Sequence, residues 1–217
     1  LEFPIWTSRV FMMLPPGEES HCNYITVIRI HVPRNRKDER AHGRARRLHR
    51  TTGSRRRRSV NGGGACGAAQ GLAFGLDCPL LGISTLEALA LQAHRRYHFR
   101  HVVTALDARM GEVYAATWHC LNDTLSLQSD EVVIAPSAFR LPADETDWVG
   151  VGSGFSLWDE FAVGVQASMS QHLTDLEPRA EEMAWLAARD LDAGLGRAAH
   201  EAQPVYLRNN VAWKKPA

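Results

Sequence analysis

The stretch "HVVTALDARMGEVYAATWHC", residues 101–120, decides the fold of this chain. Residues 101–106 and 112–119 are rich in β-branched and small apolar side chains, which predicts two β-strands. Between them, Asp107 opens a turn by hydrogen bonding to its own backbone, and Gly111 supplies a positive φ where the turn closes. The stretch therefore predicts a β-hairpin.

The flanking sequence alternates strands and helices. Residues 78–84, "CPLLGIS", predict a buried strand, and Ser84 or Thr85 follows as the N-cap of a helix that runs toward His94. Further elements are predicted by the same signals: a helix over 68–75, strands at 24–32, 131–135 and 148–151, a short helix at 136–139 and a helix over 181–195. This alternation is typical of an α/β protein.

Charge divides the chain into two parts. Residues 1–58 carry 14 Lys and Arg against 5 Asp and Glu, whereas residues 59–217 carry 11 against 19. Eleven arginines and one lysine lie between Arg34 and Arg58 without apolar periodicity, and the one strand predicted before them makes no sheet alone. Three interpretations stay open for this tract: a nucleic-acid contact, a solvated arm, or a segment translated out of frame.

Cysteine content and hydropathy exclude several classes of protein. The four cysteines, Cys22, Cys66, Cys78 and Cys120, are widely separated and form no CxxC, so neither a zinc ribbon nor a disulfide framework is predicted. We expect a reducing, cytoplasmic environment. No run approaches the roughly 18 to 20 apolar residues of a membrane span, so we expect no membrane association.

Two clusters have both a binding and a structural interpretation. His94, His98 and His101 have metal-ligand spacing, but the arginines among them oppose a cation, which favours a solvated helix end.

Gly150, Gly152 and Gly154 follow a strand as a phosphate-binding turn would, yet the pattern is GxGxG, which favours a plain strand-to-helix turn.

The hairpin turn holds a third candidate site. Asp107, Arg109 and Glu112 bring two carboxylates and a guanidinium into a few residues, and such a trio can bind metal or perform acid-base chemistry. The same residues also suit a tight turn. Both interpretations stay open at this point.

Four blocks carry a resemblance to a known family: "AAQGLAFGLDCPLLGISTLEALA" at 68–90, "ALDARMGEVYAA" at 105–116, "VGVGSGF" at 149–155 and "QPVYLRNNVAWKK" at 203–215. In order and spacing they resemble the TsaB (YeaZ) family of tRNA threonylcarbamoyladenosine biosynthesis proteins, over about residues 69–215. The glycine-rich block that precedes "AQGLA" in that family is missing here.

The resemblance implies an α/β, actin-like (ribonuclease-H-like) fold of two domains, the second intact and the first incomplete or disordered before about residue 60. It implies an arginine-rich segment outside the family over 1–64, disordered or out of frame. A remnant of the first domain would then span 65–99, the second domain 100–203 and a C-terminal docking tail 204–217.

The resemblance also implies a non-catalytic subunit that binds and stabilises TsaD, with TsaE joining through the complex, tRNA contacted indirectly and a homodimer as a further possibility. No catalytic residue, metal or cofactor carries over. The implied partner interface contains Ala69, Leu72 and Ala73. Residues of the family signature are Asp107, Arg109, Gly111, Glu112, Tyr206, Arg208 and Asn209.

Two other functions compete with this one. The first is a nucleic-acid-binding module that uses the basic N-terminal arm. The second is an actin-like ATPase that uses Asp107 and the turn at Gly150–Gly154.

Overall fold

The computed structural model describes the backbone of residues 8–13, 24–31 and 62–65, and all of residues 66–143, 147–203, 205, 207 and 208. Its strands are β1 (Ser8–Met13), β2 (Tyr24–His31), β3 (Leu80–Ser84), β4 (His101–Asp107), β5 (Val113–Leu121), β6 (Thr124–Ile134), β7 (Trp148–Val151) and β8 (Met169–Leu173). Its helices are α1 (Gly62–Gly75), α2 (Thr85–Tyr97), α3 (Val163–Ala167) and α4 (Ala180–Asp192), with 3₁₀ helices at Pro136–Ala138 and Ser153–Glu160.

The predicted hairpin forms the centre of a five-stranded sheet with the order β6-β5-β4-β7-β8. β4 and β5 pair antiparallel from His101 opposite His119 to Asp107 opposite Val113, which confirms the prediction. β7 joins β4 in parallel, and β8 joins β7 in parallel. Because the central strands are buried on both faces, they are almost continuously apolar rather than alternating.

The start of α2 also agrees with the sequence. Ser84 is the N-cap: its hydroxyl oxygen accepts hydrogen bonds from the backbone N–H groups of Leu86 at 3.2 Å and Glu87 at 3.4 Å. The same hydroxyl donates to the Glu131 carboxylate on β6. This cap therefore fixes where the helix begins and also connects the helix to the five-stranded sheet.

The other sheet, with the order β1-β2-β3, contains one strand more before the arginine tract than the sequence predicted. One strand was predicted before the arginine tract, and the structure has two, since β1 pairs antiparallel with β2 and β2 pairs antiparallel with β3. β1 was missed because "SRVFMM" lacks the alternation of apolar and polar residues that identifies a strand. Nothing else in the predicted 1–64 segment before Gly62 lies within the described residues, so the disorder and reading-frame interpretations stay predictions, as do the domain boundaries.

The downstream elements lie close to where they were predicted. The strand at 131–135 is the end of a longer strand, β6, whose first half is largely exposed and polar and so gave no apolar signal. The helix predicted over 181–195 is α4, which buries Met183, Leu186 and Ala187. Gly194 follows it with φ +79°, as a glycine that stops a helix does.

Candidate functional site

The turn between β4 and β5 is held by its own backbone and by Asp107. A carboxylate oxygen of Asp107 accepts a hydrogen bond from the Arg109 backbone N–H at 2.8 Å, and the Asp107 N–H donates to the hydroxyl of Ser153 at 3.2 Å. Arg109, Met110 and Gly111 all have positive φ, at 63°, 60° and 75°. Three consecutive left-handed residues are unusual, and Gly111 accepts this conformation without cost, as the sequence predicted.

Arg208, from the C-terminal tail, lies on this turn. Its guanidinium donates to the Glu112 carboxylate at 2.5 Å and to the Ala108 carbonyl at 3.0 Å, and it contacts the Met110 sulfur at 3.4 Å. The Arg208 side chain is only 8% exposed. Beside it, Leu207 packs against the buried apolar residues that α2 shares with the five-stranded sheet. The structure thus joins two signature segments that the sequence places almost one hundred residues apart.

The charges of the turn are compensated within the site. A guanidinium nitrogen of Arg109 lies 3.7 Å from the Asp107 carboxylate, and Glu112 is paired with Arg208. Each carboxylate therefore faces a guanidinium of the same chain. Of the two interpretations left open by the sequence, this pairing favours a structural role for the trio over acid-base chemistry or metal binding.

Two further signature residues, Tyr206 and Asn209, lie outside the described residues. Their predicted place in the family signature therefore stays a prediction.

Packing requires glycine at three positions in and directly after β7. A Cβ on Gly150 would lie 2.6 Å from the Phe155 ring, and one on Gly154 would lie 2.9 Å from Ala105. Gly152 has φ +110°, and a Cβ there would overlap the Ala105 carbonyl oxygen. The Gly152 N–H donates to the carbonyl of the neighbouring strand β8 at 2.9 Å. The turn is therefore the strand-to-helix connection that the sequence favoured.

His94 and His98 lie at the end of α2, as predicted, whereas His101 is the first residue of β4. His98 ends the helix with φ +61°, and a ring nitrogen of His94 lies 2.8 Å from the Phe99 carbonyl oxygen. In the part of the chain that the structure describes, no three His, Cys, Asp or Glu side chains are grouped as metal ligands.

Helix α1 turns the predicted interface residues in different directions. Ala69 and Ala73 are fully buried, and they pack with Leu80 and Ala199. Leu72 is 45% exposed. Positions four apart on a helix share a face, so Ala69 and Ala73 both lie on the covered side of α1. The partner interface of Ala69, Leu72 and Ala73 stays a prediction.

Sequence reasoning missed two exposed side chains beside Leu72. Phe74 is 80% exposed and Leu76 is 50% exposed. The sequence did carry a signal for this exposure. Ala69 and Ala73 are small residues that suit close packing inside the fold, whereas the large residues Leu72 and Phe74 occupy other positions of α1 and Leu76 follows its end.

Comparisons with known proteins agree with the resemblance. The family model described as "TsaD: tRNA N6-adenosine threonylcarbamoyltransferase" matches residues 64–215. The tRNA threonylcarbamoyladenosine biosynthesis protein TsaB of Escherichia coli is 39% identical over 155 residues, which is 69% of this chain and 65% of that protein. Its counterpart in Haemophilus influenzae is 32% identical over 164 residues, with the same coverage. The chain belongs to the TsaB family.

The chain spans 65% of the length of these TsaB relatives. Among solved structures, YeaZ from Pseudomonas aeruginosa superposes with a TM-score of 0.56 at 35% identity, covering 65% of this chain and 66% of that one. A protein described as similar to peptidase YeaZ from the same organism superposes with a TM-score of 0.63 at 25% identity, covering 93% and 99%. The TsaB family fold is therefore present: α/β and actin-like, as expected.

No helix in the described ranges has both the length and the hydropathy of a membrane span.

Proposed function

We propose that this chain is a non-catalytic subunit needed for threonylcarbamoylation of the adenosine next to the anticodon in tRNAs that read codons beginning with A. It acts in the cytoplasm by binding and stabilising TsaD, and TsaE joins through that complex. The family model and the biosynthesis-protein names of its relatives support this proposal.

The observation that carries the non-catalytic role is the pairing at the signature turn. Asp107 faces Arg109, and Glu112 faces Arg208, so the charged groups that distinguish this turn are engaged with each other. A general base or nucleophile needs a group that can reach a substrate. We assign Glu112 and Arg208, which hold the tail to the hairpin, to the architecture of the subunit.

The outer face of α1 is the proposed contact with TsaD. Leu72 and Phe74 on α1, and Leu76 directly after its end, expose three large apolar side chains within five residues, and exposed large apolar side chains suit a contact with another protein. Gly67 and Gly71 lie on the same helix with nothing within 4 Å of an added Cβ, so the face permits close approach of a partner helix. Because the matching family model is described as TsaD itself, we expect TsaD to offer a related helix for pairing.

A binding experiment with the cognate TsaD tests this proposal. The full chain should co-purify with TsaD and bind it at micromolar concentration or tighter in calorimetry. Phe74→Glu should weaken binding about 30-fold or more, the effect of losing an interface hot spot. Val163→Glu is the matched control, because Val163 is also 80% exposed but lies on α3.

Absence of binding by the wild-type chain would refute the proposed function. Equal affinities of the Phe74→Glu and Val163→Glu variants would refute the α1 face as the contact. Self-association of the chain that Phe74→Glu alone abolishes, without any TsaD complex, would instead assign this face to a homodimer.

A further inference from the structure

The segment "HRRYHFRH", residues 94–101, is distinct from the signature turn and from α1. It contains three arginines, three histidines and no acidic residue, and two aromatic residues alternate with the basic ones. The arginine tract at 34–58 is more basic but contains no aromatic residue. Residues 94–101 therefore combine aromatic with basic side chains, whereas the arginine tract is basic alone.

The aromatic residues of this segment form a stacked column at the surface. The rings of Tyr97 and Phe99 are 5.3 Å apart at an angle of 20°, and Tyr97 is 40% exposed. The guanidinium of Arg96 lies over the Tyr97 ring, 5.3 Å from its centroid. Arg96 thus contacts the Tyr97 ring, and the exposed part of that ring is aromatic surface on which a further ring can stack.

The backbone of the segment is fixed where α2 ends. His98 adopts φ +61°, and its N–H donates to the His94 carbonyl at 2.7 Å. The His94 ring in turn lies 2.8 Å from the Phe99 carbonyl oxygen, and the Arg100 carbonyl accepts from the Cys120 N–H at 2.7 Å. The backbone that carries these side chains is therefore held in place before any ligand arrives.

The charges beside the column are unequally compensated. Arg95 pairs with Asp123 at 3.0 Å and lies over the Trp185 ring at 4.1 Å. Arg96 and Arg100 are exposed, and neither has a carboxylate partner among the described residues. Arg100 borders a surface groove of about 550 Å³ next to the column, lined also by His94, His98, Leu121, Asn122 and Asp123.

We propose that this surface binds single-stranded RNA, with a base stacking on the column formed by Phe99, Tyr97 and Arg96 and phosphates contacting Arg96 and Arg100. Aromatic platforms flanked by exposed arginines are how proteins hold unpaired nucleotides without reading their sequence. An acidic peptide would use the charges but not the stacked rings. The RNA concerned is the anticodon loop of a tRNA, an identification that rests on the proposed function above.

Fluorescence anisotropy with the full chain tests this surface. The probes are a labelled tRNA anticodon stem-loop and a blunt RNA duplex of equal length, each titrated over a range of salt concentrations. The N-terminal arginines contribute equally to every variant, so differences between variants report the surface alone.

Arg96→Gln combined with Arg100→Gln should make the negative slope of log affinity against log salt shallower by about 1.4, since each phosphate contact on a single strand contributes about 0.7 to its magnitude. Arg197→Gln, another exposed arginine remote in sequence, should leave the slope unchanged. Tyr97→Leu should weaken stem-loop binding by about 5- to 100-fold without changing duplex binding, while Tyr97→Phe, which keeps the ring, should bind as the wild type does.

An unchanged slope in the double arginine variant, or unchanged stem-loop affinity in Tyr97→Leu, would overturn the proposal. Unchanged melting temperatures of the variants exclude a folding defect as the cause of any loss. TsaD binding by the same variants separates the two hypotheses: a chain that binds the stem-loop but not TsaD refutes the proposed function alone, and the reverse refutes this surface alone.

Discussion

Replacing Arg208 with glutamine should destabilise the protein and release its C-terminal tail. Arg208 is the side chain by which the tail contacts the β4–β5 turn, through the Glu112 carboxylate and the Ala108 carbonyl. Glutamine keeps part of the length and polarity of the side chain but removes the charge and the second donor group. A change in the free energy of unfolding therefore reflects the lost contacts with Glu112 and Ala108 more than the smaller volume of the side chain.

The expected magnitude follows from burial. Arg208 is 8% exposed and Glu112 is 35% exposed, so solvent screens this pair less than an ordinary surface pair and more than a buried one. Hydrogen bonds to charged groups contribute about 1.5 to 3 kcal/mol each. We expect Arg208→Gln to lower the free energy of unfolding by about 2 kcal/mol, of which about 1 kcal/mol is coupling to Glu112.

A double-mutant cycle with Glu112→Gln measures that coupling. Urea unfolding of the wild type, the two single variants and the double variant is followed by tryptophan fluorescence, with Arg197→Gln as the exposed control. Limited proteolysis of the native proteins reports release of the tail. Additive single effects, within about 0.3 to 0.5 kcal/mol, would show that Arg208 and Glu112 do not interact and would refute the structural role assigned to the turn.

Three further predictions concern single residues. Gly152→Ala should cost more than about 3 kcal/mol in urea unfolding, because its φ of +110° and the nearby Ala105 carbonyl both exclude a Cβ, while Gly164→Ala, where the space is open, should not destabilise. Burial raises the pKa of Glu87 above its usual 4.5, so stability should fall as the pH rises from 4.5 through the raised value. Glu87→Gln should flatten that decline, and an unchanged slope would contradict the assignment. Burial also raises the pKa of Cys120 to about 12, so iodoacetamide at pH 8 should modify this thiol only in urea, as peptide mass spectrometry would show.

The elements that the sequence predicted well depend on neighbouring residues. The hairpin at β4 and β5 follows from two apolar runs around Asp107 and Gly111, and the start of α2 follows from the hydroxyl of Ser84. These signals act between residues a few positions apart, so the local structure they favour does not depend on tertiary contacts. The first half of β6 was missed because an exposed strand carries no apolar pattern.

The candidate sites were predicted less completely. The alternation of basic and aromatic residues around Tyr97 is visible in the sequence, but the stack on Phe99 and the position of Arg96 over the ring depend on the turn at His98. On α1, helical spacing groups Ala69 with Ala73 but does not say whether their face is covered. Packing against Leu80 answers that question.

The sequence by itself determined the family, the α/β class and the central hairpin, because family motifs, turn residues and apolar runs are properties of short segments. Only the tertiary structure decided that Arg208 lies against Glu112, and that Leu72 and Phe74 point outward while the alanines of α1 are buried. Such contacts join residues distant in sequence, and their geometry depends on the path of all the intervening chain. Local physical chemistry fixes the elements, but their packing decides which faces and charges remain available for a partner.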